Sequence, residues 1–259
     1  VEAYESAIRK DPGFARAYAA LAIAQQQTFS GWASSSVGDF IANFEVMRET
    51  VNKAMELGPD DPDVLIAKTM ANLMVDWDLP AALEVTQRAL EVDPNNTVVL
   101  GWHGSNLLFA RRFEEAEQAA LKSAKLDPLS LSSLRGLGDI YMTSGQCDKA
   151  IETYEHALSI SPGSGRFYGR MARCKLFQDD IEAAKAFNAE EPVAWVRETN
   201  DLMIMGRESP GPEWEAAVAA YEDRYGYGNS YQMAEIYADA GDLDRTFEWL
   251  DHAARVRDP

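Results

Sequence analysis

The chain has 259 residues, 46% hydrophobic and 10% aromatic, with a formal net charge of −18. That composition is one of a folded chain with a core to bury, not a disordered one. The acidic balance excludes nucleic acid and acidic membrane surfaces as partners, because both call for a basic footprint. Two cysteines, Cys147 and Cys174, supply neither a disulfide framework nor a cysteine zinc site, and both are expected as buried free thiols. No apolar run approaches the roughly 20 residues of a membrane span, and no signal sequence is visible, so the expected location is cytoplasmic.

Taken in order, residues Val1 to Pro12 read as the second half of a repeating unit, since Tyr4, Ala7 and Pro12 keep the mutual spacing of Tyr154, Ala157 and Pro162. The chain thus begins in mid-unit, and more repeat or another domain is expected upstream. The next first helix carries Tyr18, Leu21 and Ala22, and its partner ends with Ala54 and Pro59. Pro12 and Pro59 lie too far apart for a single unit of about 34 residues, so about 13 are inserted, and periodicity fails from Gln26 to Asp39. A long loop is expected there, either a contact site through Phe29 and Trp32 or a passive insertion, followed by a lengthened helix from about Val37 to Leu57.

The third unit, from about Pro62 to Pro94, keeps Ala82 and Ala89, with Lys68 where a leucine is expected and Asp76-Trp77-Asp78 lengthening its turn by one residue. From Pro94 the spacing is regular, with Pro94, Pro128 and Pro162 recurring at one constant interval. The clearest unit runs from Leu131 to Pro162. Leu134, Leu137, Gly138 and Tyr141 fall at i, i+3, i+4 and i+7, the apolar face of one helix, and Ala150, Tyr154 and Ala157 mark a second. The small Gly138 and Ala150 let the two helices approach closely, with Tyr141 and Tyr154 filling the volume around that contact. Gly145 between them is suited to a left-handed helix stop. Tyr168, Met171, Ala172 and Ala184 begin a further unit, a degenerate one follows through Trp195 to Tyr225, and Met233, Ala234, Tyr237, Gly241, Leu250 and Ala253 mark the last.

These landmarks resemble the tetratricopeptide repeat, a helix-turn-helix unit of about 34 residues. The resemblance implies an all-α, right-handed α-α superhelix: a single solenoid of about seven and a half repeats, with a half repeat at 1–12 and repeats at about 15–59, 62–94, 97–128, 131–162, 165–191, 192–226 and 227–258. The Asp76-Trp77-Asp78 turn, the run Leu126 to Ser130 and the closing pattern Tyr237-Ala238, Gly241-Asp242 and Phe247 to Leu250 further resemble the repeat module of bacterial multidomain signalling proteins. In those, repeats follow an adenylate-cyclase-like or winged-helix output domain.

No catalytic constellation converges. His103, His156 and His252 form no His-x-x-x-His pair. Gly136 and Gly138 lie inside a helix with no preceding strand, which excludes a phosphate loop, and no Gly-x-Ser-x-Gly elbow occurs. No enzyme, cofactor or metal site is expected.

The resemblance instead implies a non-catalytic scaffold that binds a peptide or protein in a concave groove built from first helices. Phe109 from one unit, Arg135, Asp139 and Met142 from the next, and Arg166, Arg173 and Phe177 from the one after are expected to face it. Arg166, Arg170 and Arg173 fall at i, i+4 and i+7 on one helix face, a local reversal of sign that suits an acidic partner. The alternative is internal pairing of these arginines with Asp139, Asp179 or Asp180. A second class of function, self-association into a homo-dimer, is left open by the same sequence.

Overall fold

In a computed structural model the backbone is described for residues 1–29, 37–164, 166–225 and 228–256, with side chains described outside 26–43 and up to 255. Every regular element among them is helical. Two compact units result, Val1–Gly136 and Leu137–Pro259.

The first unit holds α1 (Glu2–Lys10), α2 (Ala15–Phe29), α3 (Val37–Leu57), α4 (Pro62–Ala71), α5 (Leu79–Val92), α6 (Thr97–Phe109), α7 (Phe113–Leu126) and the start of α8 (Leu131–Thr143). Three of its helices, α4, α5 and α6, start at side-chain caps: Asp61, Asp78 and Asn96 accept the N–H of Asp63, Ala81 and Val99. The helices pack in antiparallel pairs over a core of Ala22, Met47, Val51, Ala54, Val64 and Leu65. Burying such side chains stabilises a fold by about 1.5–3 kcal/mol each for the larger ones. By contrast α1 buries none of its residues.

Two expectations change here. The loop expected from Gln26 is helical as far as Phe29, because the stretch from Ala15 to Phe29 contains neither glycine nor proline to stop α2. Trp32 lies outside the described residues, as does the side chain of Phe29. The extra residue of the third unit is taken up within the helix and not in the turn: Asn72–Asp76 form a π-helical turn directly after α4. The stretch from Pro59 to Trp77 is accordingly one residue longer than that from Pro94 to Arg111. Register is restored by that turn, so that Trp77, Arg111, Gly145 and Asp179 follow one another at the constant interval of one unit, all with positive φ. Only one of the four is glycine. The left-handed cost at the others is offset by paired backbone bonds, such as Arg112 N–H to the Leu107 carbonyl (2.9 Å) and Asp180 N–H to the Lys175 carbonyl (2.9 Å).

The second unit continues α8 and adds α9 (Cys147–Ile160), α10 (Phe167–Phe177), α11 (Ile181–Ala189), α12 (Ala194–Glu208), α13 (Pro212–Tyr225), α14 (Ser230–Asp239) and α15 (Leu243–Val256). Leu202, Met203 and Ile204 of the degenerate segment are buried with Trp214, Tyr221 and Met233, so this run is core. Cys147 and Cys174 are free and buried, and burial, with Cys147 beside it, pushes the Cys174 thiol up. Neither is expected to react with a disulfide reagent such as DTNB in the native protein, while two thiols should appear in guanidinium. Stoichiometric labelling of the native chain would contradict this placement.

Candidate functional site

The arginine-bearing helix α10 starts in an unusual way. Its N-cap residue, Arg166, is in the left-handed region (φ 61°) and its side chain caps nothing. Glu191, only 1% exposed, serves from a distance: its Oε2 accepts the Gly169 N–H (2.8 Å) and its Oε1 accepts the Val193 N–H (2.9 Å). One buried carboxylate therefore ties the first turn of α10 to the residue preceding α12, where the helix dipole also favours negative charge. Gly169 is required by close approach, since a Cβ there would stand 2.4 Å from Val196 Cγ1.

From this start, α10 presents its arginines to different partners. Arg166 is exposed, with its guanidinium 5.5 Å from the centre of the Trp195 ring. Arg170 is half-buried and donates through Nε to Asp139 Oδ1 (2.6 Å), which also accepts from the Tyr154 hydroxyl (2.7 Å). Burial works against the Arg170 charge, but Asp139, aided by Tyr154 and Glu191, outweighs it and raises its pKa. Burial, then Asp139, likewise push the Tyr154 phenol far above its ordinary range. Arg173 donates through Nη1 to Glu235 Oε1 (2.6 Å) and through Nε to Asn200 Oδ1 (3.2 Å), while Asn200 Nδ2 reaches the Gly169 carbonyl (3.0 Å). At the far end, Phe177 is 58% exposed.

Of the carboxylates considered from sequence, Asp139 takes Arg170, whereas Asp179 receives Arg207 (2.9 Å) and Asp180 caps α11. Sequence reasoning missed Glu235, Asn200, Glu191 and Arg207. Glu235 lies 62 residues from Arg173, so no local spacing could announce the pair. Arg207 also forks onto both oxygens of Asp239 at the end of α14 (2.8 and 2.5 Å). Met142 and Asp139 are half-buried on α8. In the first unit, Phe109 ends α6 with 64% exposure, Val98 on the same helix is 53% exposed, and Arg135 on α8 is exposed.

As chemistry this is a face of arginines held by named partners, with an exposed aromatic ring at its end. His103 and His252 each engage a hydroxyl, of Thr86 and Ser230 (both 2.9 Å). Among the described residues, no group of His, Cys, Asp and Glu could hold a metal ion, and no helix is long and apolar enough to cross a membrane.

Residues 141–190 match the tetratricopeptide repeat family. That stretch runs from the end of α8 to the turn after α11. Among curated proteins, the chain is 23% identical over 140 residues to the small glutamine-rich tetratricopeptide repeat-containing protein 2 of Mycosarcoma maydis, covering 52% of this chain. It spans 39% and 48% of the length of the curated relatives it matches. Among solved structures, PilF of Pseudomonas aeruginosa superposes with a TM-score of 0.57 at 20% identity, covering 87% of this chain and 97% of that one. A tetratricopeptide repeat protein from Parabacteroides merdae gives 0.61 at 14%, covering 85% and 90%. The expected fold class, an all-α tetratricopeptide-type solenoid, therefore stands.

Proposed function

We propose that the chain is a non-catalytic scaffold that binds a peptide or protein along the exposed faces of its first helices. Its proposed contacts in the second unit are Asp139, Met142, Arg166, Arg170, Arg173 and Phe177, and in the first unit, taken by itself, Phe109 and Arg135. The observation that carries this is α10: an aromatic ring 58% exposed ends a helix whose arginines are already held in place by named partners. A partner ordering against such a face loses less free energy to immobilising the scaffold's side chains. An acidic partner side chain would meet Arg166 first, because Arg170 and Arg173 reach it only by exchanging Asp139 and Glu235. A place as a regulatory module within a larger signalling protein follows from the sequence resemblance alone and is part of the same proposal.

The test is selection of peptides from a displayed library on the intact chain, followed by titration calorimetry. Arg166→Glu and Phe177→Ser are each expected to weaken selected acidic peptides by at least about tenfold, with the melting temperature unchanged. Peptides that bind both variants as well as the parent would defeat the assignment of the face.

A further inference from the structure

In the first unit, two turns that lead from a first helix to its partner carry a tryptophan and an arginine where glycine would fit best. Trp77 (φ 54°) and Arg111 (φ 58°) hold the left-handed backbone that Gly145 takes (φ 79°) in the clearest repeat. A side chain on that backbone costs free energy, and a bulky one such as tryptophan is rare there. Both turns are nevertheless pinned, one by the Asp78 N–H on the Asn72 carbonyl (2.8 Å) and the other by the Arg112 N–H on the Leu107 carbonyl (2.9 Å). Strain of this kind, held by its surroundings, points to a use for the side chain.

Neither side chain serves the core. The Trp77 ring is 53% exposed, and the aspartates on either side of it are both engaged, Asp76 by Arg48 (2.8 Å) and Asp78 as the cap of α5. Arg111 is exposed, with its guanidinium 5.3 Å from the centre of the Phe113 ring. It is in no ion pair among the described residues, whereas Arg112 beside it holds Glu115 (2.6 Å). Two pinned turns thus present one indole and one guanidinium without a carboxylate, in a chain of net charge −18.

The two tips stand at equivalent points of consecutive repeats, and α4 and α6 touch along their length, which sets the tips about 10 Å apart. A chain in the polyproline conformation advances about 9 Å in three residues. One face of such a segment therefore meets both tips, a proline ring on the indole and, three residues away, a carboxylate on the guanidinium. The net charge opposes a second copy or an acidic lipid surface as the occupant. We propose that the edge formed by Trp77 and Arg111 is a docking site for a partner's extended, proline-containing acidic segment, in which a proline and a glutamate or aspartate stand three residues apart. This edge lies at the turns and does not depend on the arginine face of α10.

The experiment uses the full chain and a fluorescein-labelled peptide built around Pro-Pro-Pro-Glu. In fluorescence anisotropy it is expected to bind at least about fivefold tighter than twins with glutamine for the glutamate or glycines for the prolines. Trp77→Gly and Arg111→Gly should each abolish binding while the melting temperature stays at or above the parent's, because glycine takes the left-handed turn without a side-chain cost. A merely structural role for either residue predicts the opposite, a lower melting temperature. Arg111→Glu should shift preference to a twin with lysine for the glutamate, and Arg166→Glu should change nothing. No binding by the parent, equal binding of the twins, or binding that survives Trp77→Gly overturns the proposal. So does a dimer in light scattering, or adsorption to phosphatidylserine vesicles, that Trp77→Gly removes, since a second copy or a lipid surface would then be the occupant.

Discussion

Replacing Glu191 with alanine is expected to destabilise the second unit by about 3 kcal/mol, more than most single changes in the chain. The side chain is 1% exposed and both of its oxygens are used, one by Gly169 N–H and one by Val193 N–H. Alanine leaves two backbone donors without an acceptor, the Gly169 N–H buried and the Val193 N–H half-buried, at about 1–3 kcal/mol for the first and less for the second. Glutamine keeps one carbonyl oxygen and should lose about half as much. Glu190, its exposed neighbour, is the control, and Glu190→Ala should lie within about 0.5 kcal/mol of the parent. Hydrogen exchange is the sharpest readout, because α10 and α12 should open first and together. Equal exchange in the Glu191→Ala and Glu190→Ala variants would refute the capping role.

Gly138→Ala is expected to cost about 2 kcal/mol through overpacking, even though alanine favours helix over glycine. The added Cβ would stand 2.2, 2.7 and 2.8 Å from Cε1, Cζ and Cδ1 of the Tyr154 ring. That ring has nowhere to go: it is fully buried, its hydroxyl is donated to Asp139, and Phe167 lies against it. Overpacking of this kind costs roughly 1–3 kcal/mol, and the gain in helix propensity of about 1 kcal/mol offsets only part of the upper range. Gly136 on the same helix tests the logic from the other side. A Cβ there meets nothing within 4 Å, so Gly136→Ala should raise stability by up to about 1 kcal/mol. Urea midpoints of the two variants should move in opposite directions, and shifts of the same sign would be inconsistent with the packing described.

The close approach at Gly138 was legible in the sequence as small residues, Gly138 and Ala150, at a helix contact with Tyr154 nearby, but that the Tyr154 ring itself lies against Gly138 was not. The bounds of α3 were legible too, as a lengthened helix from about Val37 that ends just before Gly58-Pro59. The π-helical turn at Asn72–Asp76 was legible only as one surplus residue. Whether a helix or a turn absorbs a surplus depends on which backbone hydrogen bonds survive, and composition does not encode that choice. Gly145 announced its left-handed turn, but Trp77, Arg111 and Asp179 occupy equivalent positions without the residue type that would reveal them.

Periodicity and the constant repeat spacing were enough to establish an all-helical repeat fold, because amphipathic period and helix stops are local properties of the chain. The partners of the arginines were not. Arg166, Arg170 and Arg173 share a face by spacing alone, yet they meet Trp195, Asp139 and Glu235, up to 62 residues away. Those contacts exist because separate helices stack side by side. Stacking is decided by side-chain volume and buried hydrogen bonds between elements, and only the tertiary structure brings a buried Glu191 to the start of α10.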